Sequence, residues 1–407
     1  MYDAIVIGAR CGGSPTAMLL ARLGYSVLLI DRGGFPSDTI STHYIHQPGV
    51  ERLARWGLLD RVIASGCPPV RNQTFDVGPF ALHGAPPPVD GIADGYAPRR
   101  TVLDSILVEA AVAAGAELRE HFPVRELVTD GDRVVGIRGL SPAGKAIAEK
   151  ARIVIGADGL HSLVARSVHA ADYEVRPTFS CAYYSYWGGV PVDGAELYPR
   201  PQRMIIAAPT NAGQTLVIVY WPQSEFHRVR GAIEGEFMEA LDLVPDLSER
   251  VRAGERSERF VGRADLDNLF RRPFGPGWAL VGDAGYHRDP ITAQGITDAF
   301  RDAELLAEAI DAGLSGREDL QESLAGYERR RNEAVMPMFD LTCQLASLGP
   351  PPPEMLQLFA ALREDSEATN RFLGAVAGTV PIPEFFSPES VGRLIGAAQV
   401  AGSVMSA

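Results

Sequence analysis

The spacing of apolar residues changes repeatedly along the chain, and each change marks an element. Ala4 to Ile7 is an apolar run that stops at Gly8. Gly12 and Gly13 follow, a helical pattern passes through Met18, Leu19 and Leu20, and a second apolar run, Val27 to Ile30, ends on Asp31. Strand, glycine-rich turn, helix, strand and terminal acid together read as a βαβ unit built round a dinucleotide.

Further along, a short helix is expected over 49–56 and strand pieces over 74–77 and 80–83. Leu103, Ile106, Leu107 and Ala110 share one face of a helix predicted over 103–114. Short strands are expected at 117–120, 125–129 and 134–140. The apolar run Ile153 to Ile155 then reaches Gly156-Ala157-Asp158-Gly159. Residues 173–262 read as strand-rich, with strands at 178–187, 203–208 and 215–221, turns at 188–202 and 209–213, and one helix at 233–243. A strand at 279–281 runs into Gly282-Asp283, and a long helix carries Ile296, Phe300, Leu306 and Ile310. Beyond residue 320 the pattern is helical, interrupted by four prolines at 350–353.

This order predicts an α/β fold. A Rossmann-like domain is assembled from 1–70, 98–172 and 263–335, and a β-sheet substrate domain from 71–97 and 173–262. A helical segment, 336–407, closes the chain. Interleaving lets motifs far apart in sequence meet one ligand.

The 407 residues suffice for such a pair of domains, and 46% hydrophobic with 22% charged residues is a globular balance. A net charge of −13 offers no basic excess to displace phosphate counterions, which argues against a nucleic-acid partner. No apolar run approaches the roughly 18 residues of a membrane span. The first strand starts at residue 2, so no signal peptide is expected. Cys11, Cys67, Cys181 and Cys343 share no metal-binding spacing and fit a reducing cytoplasm, the expected location. No metal site is predicted. The apolar stretch Phe372 to Phe386 would permit a homodimer.

The candidate chemistry follows from the glycines and acids. Gly8 and Gly13 let backbone approach a pyrophosphate, and the helix N-terminus offers unpaired N–H groups to it. Asp31, 23 residues after Gly8, can accept from ribose hydroxyls; Arg32 follows it. Arg10 stands where the fingerprint G-x-G-x-x-G has its middle glycine, so its side chain must leave the pyrophosphate path. A second strand ends at Asp158-Gly159, and a third at Gly282-Asp283 before Pro290, Gln294, Gly295 and Ile296. A carboxylate at a strand end suits sugar-type hydroxyls. The helix start near Gly295 can face a partly negative ring oxygen.

These three motifs, in this order, resemble the FAD-binding set of the flavoprotein monooxygenases typified by para-hydroxybenzoate hydroxylase, a fold shared with flavin halogenases and geranylgeranyl reductases. The resemblance covers about residues 1–335. It implies that Gly8, Gly13 and Asp31 hold the ADP half of FAD. Asp158 and Gly159 would serve FAD and NAD(P)H, Gly282 and Asp283 the ribityl chain and phosphate, and Pro290, Gln294 and Gly295 the flavin ring. Arg100, with Leu103-Asp104, resembles a helix start whose arginine lies near the flavin. Tyr327-Glu328 and Arg331 resemble the helix after the FAD domain. Where the family's Asp-Gly motif has an arginine, this chain has Ala165, with Arg166 one position later. The halogenase G-E-S and W-x-W-x-I-P motifs are absent.

The implied reaction is hydroxylation of an aromatic or polyketide-like small molecule with NAD(P)H and O2, through a flavin C4a-hydroperoxide. The alternative is a reductase or dehydrogenase of the geranylgeranyl-reductase type. Alternation along 183–187 places Tyr184 and Tyr186 on one face of a strand, a candidate substrate wall shared with 203–206 and 217–221. The bland reading of each is ordinary sheet packing. His43, in a polar loop, is a candidate for proton relay or substrate contact. His287 is expected to hold a loop.

Overall fold

Continuous β-branched and leucine runs bury on both faces of a parallel sheet, and that is where the first strand goes. The computed structural model describes residues 1–405, with side chains described through residue 398. Strand Tyr2–Ile7 lies between Val27–Ile30 and the long strand Ala146–Gly156, parallel to both. Trp278–Leu280 extends the sheet on one side and Glu117–Arg119 on the other. Ala4, Ile5 and Val6 are fully buried.

One face of this sheet packs on helices Gly13–Arg22, Arg100–Ala113 and Gly295–Leu314, through Met18, Leu103, Leu107, Phe300 and Leu306. The other face meets the hairpin Val124–Asp130 and Arg133–Leu140, through Val134, Ile137 and Phe122. The strand Ala146–Gly156 serves both layers. Its first half pairs antiparallel with Arg133–Leu140, and its second half joins the parallel sheet.

A second, mixed sheet stands beside the first. Ser180–Gly188 and Gln214–Pro222 pair antiparallel along their whole length, followed by Arg203–Pro209, Ala195–Arg200, Gln73–Asp76 and Ala81–Gly84. One face buries Trp187 and Trp221 against Phe237 of helix Ile233–Leu241, with helix Pro245–Ala253 beside it. The opposite face carries Ala182, Tyr184, Ile218 and Tyr220.

The α/β architecture matches the sequence expectation, with local corrections. The supposed turn region 188–202 contains strand Ala195–Arg200, masked by its Pro199. The helix predicted from 103 begins at Arg100, which sets Arg100 and Asp104 one turn apart. Helix Leu320–Ala346 runs unbroken through the expected boundary at 335. The stretch Phe372 to Phe386 is used within the chain. Phe372 and Phe385 are buried with Phe75 and Phe359, so the aromatic side chains of this segment pack against the second sheet. Among the described residues no helix is long and apolar enough to cross a membrane, and no cluster of His, Cys, Asp and Glu is placed to hold a metal.

Candidate active site

The two sheets enclose a cavity of about 810 Å3, within the range of cofactor and ligand sites. Its wall is built from the strand ends that the sequence marks with glycine and acid.

At one end the first strand stops at Gly8, whose φ is +102°. A Cβ there would lie 2.3 Å from the Ala157 carbonyl oxygen, so only glycine lets the two strand ends approach. Gly12 joins Gly8 on the wall. Gly13 does not; a Cβ on it would fall 1.7 Å from the Gly8 oxygen, so its absent side chain seats the helix on the turn rather than meeting a ligand. Asp31 is clamped by two backbone donors, Ala9 N–H to Oδ2 at 2.9 Å and Gly33 N–H to Oδ1 at 2.8 Å. A carboxylate has about four acceptor sites, so capacity remains for ribose hydroxyls. Arg32 lines the wall beside it.

Arg10 leaves the turn sideways. Its Nη1 donates to Asp104 Oδ2 at 2.5 Å and its Nη2 to Ser37 Oγ at 3.0 Å. The fully buried Asp104 also accepts from Nε and Nη2 of Arg100, at 3.0 and 2.9 Å. One carboxylate therefore aims two arginines, both of which line the cavity.

In the middle, Asp158 Oδ2 accepts from Leu163 N–H at 2.6 Å, at the start of helix Leu163–Ser167 that Ser162 caps. Its Oδ1 is buried without a partner, and burial pushes its carboxyl above the usual range. Gly159 and Gly282 both take positive φ, +79° and +60°, and line the wall with Asp283. The Tyr327 hydroxyl donates to Leu280 O at 3.0 Å, and Arg331 Nη1 to Gly285 O at 3.1 Å, which braces the Gly282-Asp283 turn from behind.

At the far end stand Pro290, Gly295 and Ile296. Gln294 is off the wall, because its Nε2 donates outward to Val376 O at 2.8 Å. Opposite are Ala182, Tyr184, Ile218 and Tyr220 of the second sheet, brought together by the pairings Ala182–Tyr220 and Tyr184–Ile218. Alternation turns Val217, Val219 and Trp221 to the other face, and 203–206 stays clear of the cavity.

His43 and Tyr186 lie behind this wall rather than on it. His43 Nε2 is hydrogen-bonded to the Tyr186 hydroxyl. The Arg99 guanidinium lies 3.8 Å above the Tyr186 ring and pairs with Glu258 at 2.7 Å. Burial, with Arg100 and Arg99 nearby, holds the His43 pKa well below its ordinary value. Burial raises that of the Tyr186 phenol. Both are neutral at pH 7. His287 Nδ1 contacts Asp267 O at 2.5 Å and fastens its loop. His46, pushed down to about 4 by burial, meets Thr292 O at 3.0 Å.

The sequence reasoning missed Asp289 and Tyr220 as individual site residues. Tyr220 was legible through alternation in Gln214–Pro222. Asp289 was not, since its place depends on the fold of the 286–292 loop.

The profile of the FAD binding domain matches residues 1–342, most of the chain. The chain belongs to that FAD-binding family. It is 27% identical over 351 residues to digeranylgeranylglycerophospholipid reductase 2 of Methanopyrus kandleri, covering 82% of each chain. Its fold is similar to flavin-dependent brominase Bmp2 (TM-score 0.81, 19% identity, 99% of each chain). It is also similar to PqsL of Pseudomonas aeruginosa, described as a probable FAD-dependent monooxygenase (TM-score 0.71, 22% identity, 92% and 98% of the two chains).

The family makes the chain an FAD-dependent oxidoreductase, and the cavity suits that cofactor. The Gly8–Gly12 cradle admits a pyrophosphate at a helix N-terminus. The orphaned Asp158 Oδ1 is an acceptor waiting for a donor such as a sugar hydroxyl.

Proposed function

We propose that the protein is a monooxygenase that uses NAD(P)H and O2 to hydroxylate an aromatic or polyketide-like small molecule. The observation that supports this reading is the chamber between the Pro290–Ile296 turn and the Ala182, Tyr184, Ile218, Tyr220 face, where a flat apolar ligand fits. FAD, when bound, supplies the redox chemistry. Residues 1–70, 98–172 and 263–335 would hold it, with Gly8, Gly12, Asp31, Arg10, Arg100, Asp158, Gly159, Gly282, Asp283, Pro290, Gly295 and Ile296 on its path.

The chain's own residues then do the positioning. Asp31 would accept from the ribose hydroxyls of the bound cofactor, and the unpartnered Asp158 Oδ1 from another of its hydroxyls. The sheet face excludes water and orients the substrate. The His43–Tyr186 hydrogen bond holds a neutral pair behind the wall, and Tyr184 carries the substrate side. The test is turnover under 18O2. One labelled oxygen in the product supports hydroxylation, and an unlabelled product overturns it.

A reductase acting on an isoprenoid alkene is the second reading, favoured by the Methanopyrus kandleri relative and its length of match. It requires anaerobic turnover of such an alkene with the reduced enzyme, which the first reading forbids.

A further inference from the structure

Tyr220 is fully buried and lines the substrate chamber, yet its hydroxyl has no hydrogen-bond partner. Leaving a buried hydroxyl unpaired is destabilising. Phenylalanine would fill the same space without that cost. The neighbouring wall residues from the second sheet do not share the feature. Ala182 and Ile218 are apolar, and the Tyr184 hydroxyl accepts from Ser41 N–H at 3.4 Å.

The charge that acts on Tyr220 is Asp289, another wall residue. Its carboxylate is already held, with Oδ2 accepting from Ser180 Oγ at 2.5 Å and Oδ1 from Ile291 N–H at 3.0 Å. Asp289 thus stays beside Tyr220 without serving as its partner. Burial and this carboxylate both oppose ionisation of the phenol, which therefore remains a donor. A fixed donor on the chamber wall selects an acceptor oxygen, and a neighbouring carboxylate repels one that carries negative charge.

We infer that the Tyr220 hydroxyl is the specificity anchor of the chamber, donating its hydrogen bond to an uncharged carbonyl oxygen of an aromatic ketone or quinone-type substrate. The inference rests on reading the chamber as the substrate site of the proposed hydroxylase, and it narrows the substrate class. It disfavours plain hydrocarbons, including isoprenoid chains, and aromatic carboxylates.

The experiment uses the FAD-loaded protein and three probes on one ring system: 1-acetylnaphthalene, 1-ethylnaphthalene and 1-naphthoate. Dissociation constants are read from the perturbation of the flavin absorbance. One well-placed neutral hydrogen bond predicts that the ketone binds about ten-fold tighter than the hydrocarbon, with the carboxylate weakest. In Tyr220→Phe that preference disappears, while 1-ethylnaphthalene stays within about two-fold and FAD affinity is unchanged. The inference is overturned if the wild-type protein shows no ketone preference, if the preference survives in Tyr220→Phe, or if naphthoate binds best. Weakened FAD in the variant overturns it too, because the phenol would then serve the cofactor. The readout is binding alone, so an unlabelled product under 18O2 would remove the hydroxylase reading without touching this result.

Discussion

Gly8 holds a φ of +102° with the Ala157 carbonyl where a Cβ would stand. Neither atom is the end of a flexible side chain, so Gly8→Ala must push the first strand away from 156–158. We expect at least about a ten-fold rise in the FAD dissociation constant, the equivalent of 1.4 kcal/mol, read by quenching of flavin fluorescence. Asp289 gives a residue-scale prediction about pH. Burial pushes its carboxyl up to about 6, from an ordinary 3.8. A folded-state pKa above the unfolded one means that the protonated acid suits the fold. That contribution is complete below pH 4 and is lost as pH rises through about 6. Asp289→Asn mimics the protonated form. The variant should gain on the wild type by about 2 kcal/mol between pH 4 and pH 7 in paired denaturant titrations of the apoproteins. A pH-independent difference would place the carboxyl in a wetter setting than the buried loop provides.

At the scale of elements, Arg10 is the departure that matters. It ties the glycine-rich turn to helix Arg100–Ala113 through Asp104 and to the segment at Ser37. Arg10→Gly restores the G-x-G-x-x-G spacing but cuts both ties, and Asp104 keeps Arg100 as partner. We expect a stability loss of about 1–2 kcal/mol and about ten-fold weaker FAD, measured on apoprotein and by titration. No change in either would make the arginine merely tolerated. The motif itself was legible because each strand announces itself by an apolar run and ends on glycine and acid. The partners of Arg10 were not legible, since Asp104 is 94 residues away and meets it only when helix and turn pack. Strand Ala195–Arg200 was hidden by proline and glycine on its flanks, which are compatible with a strand only once Arg203–Pro209 supplies the hydrogen bonds. Gln294 shows the same limit at the site. Its position in the motif pointed to the flavin, whereas its side chain reaches the C-terminal helices.

The whole molecule is held by contacts that the motifs do not contain. Helices Pro353–Leu362 and Ser366–Ala377 pack on the edge of the second sheet through Phe359 and Phe372 against Phe75, and no residue of that cluster lines the cavity. One link between this cluster and the cofactor loop is Gln294 Nε2 to Val376 O, next to Ala293 at φ +54°. Two variants separate support from coupling. Phe372→Ala opens a cavity among four aromatic rings and should cost about 3–5 kcal/mol of stability. Its folded fraction should bind FAD as the wild type does, because the cavity wall is untouched. Gln294→Ala removes one neutral hydrogen bond and should cost about 1 kcal/mol, yet it frees the turn that carries Pro290 and Gly295. It should therefore weaken FAD more than Phe372→Ala does, despite the smaller stability loss. Equal FAD affinities in the two variants would mean that the C-terminal helices only cover the sheet edge. The opposite order from stability would mean that they also set the shape of the loop beside the flavin.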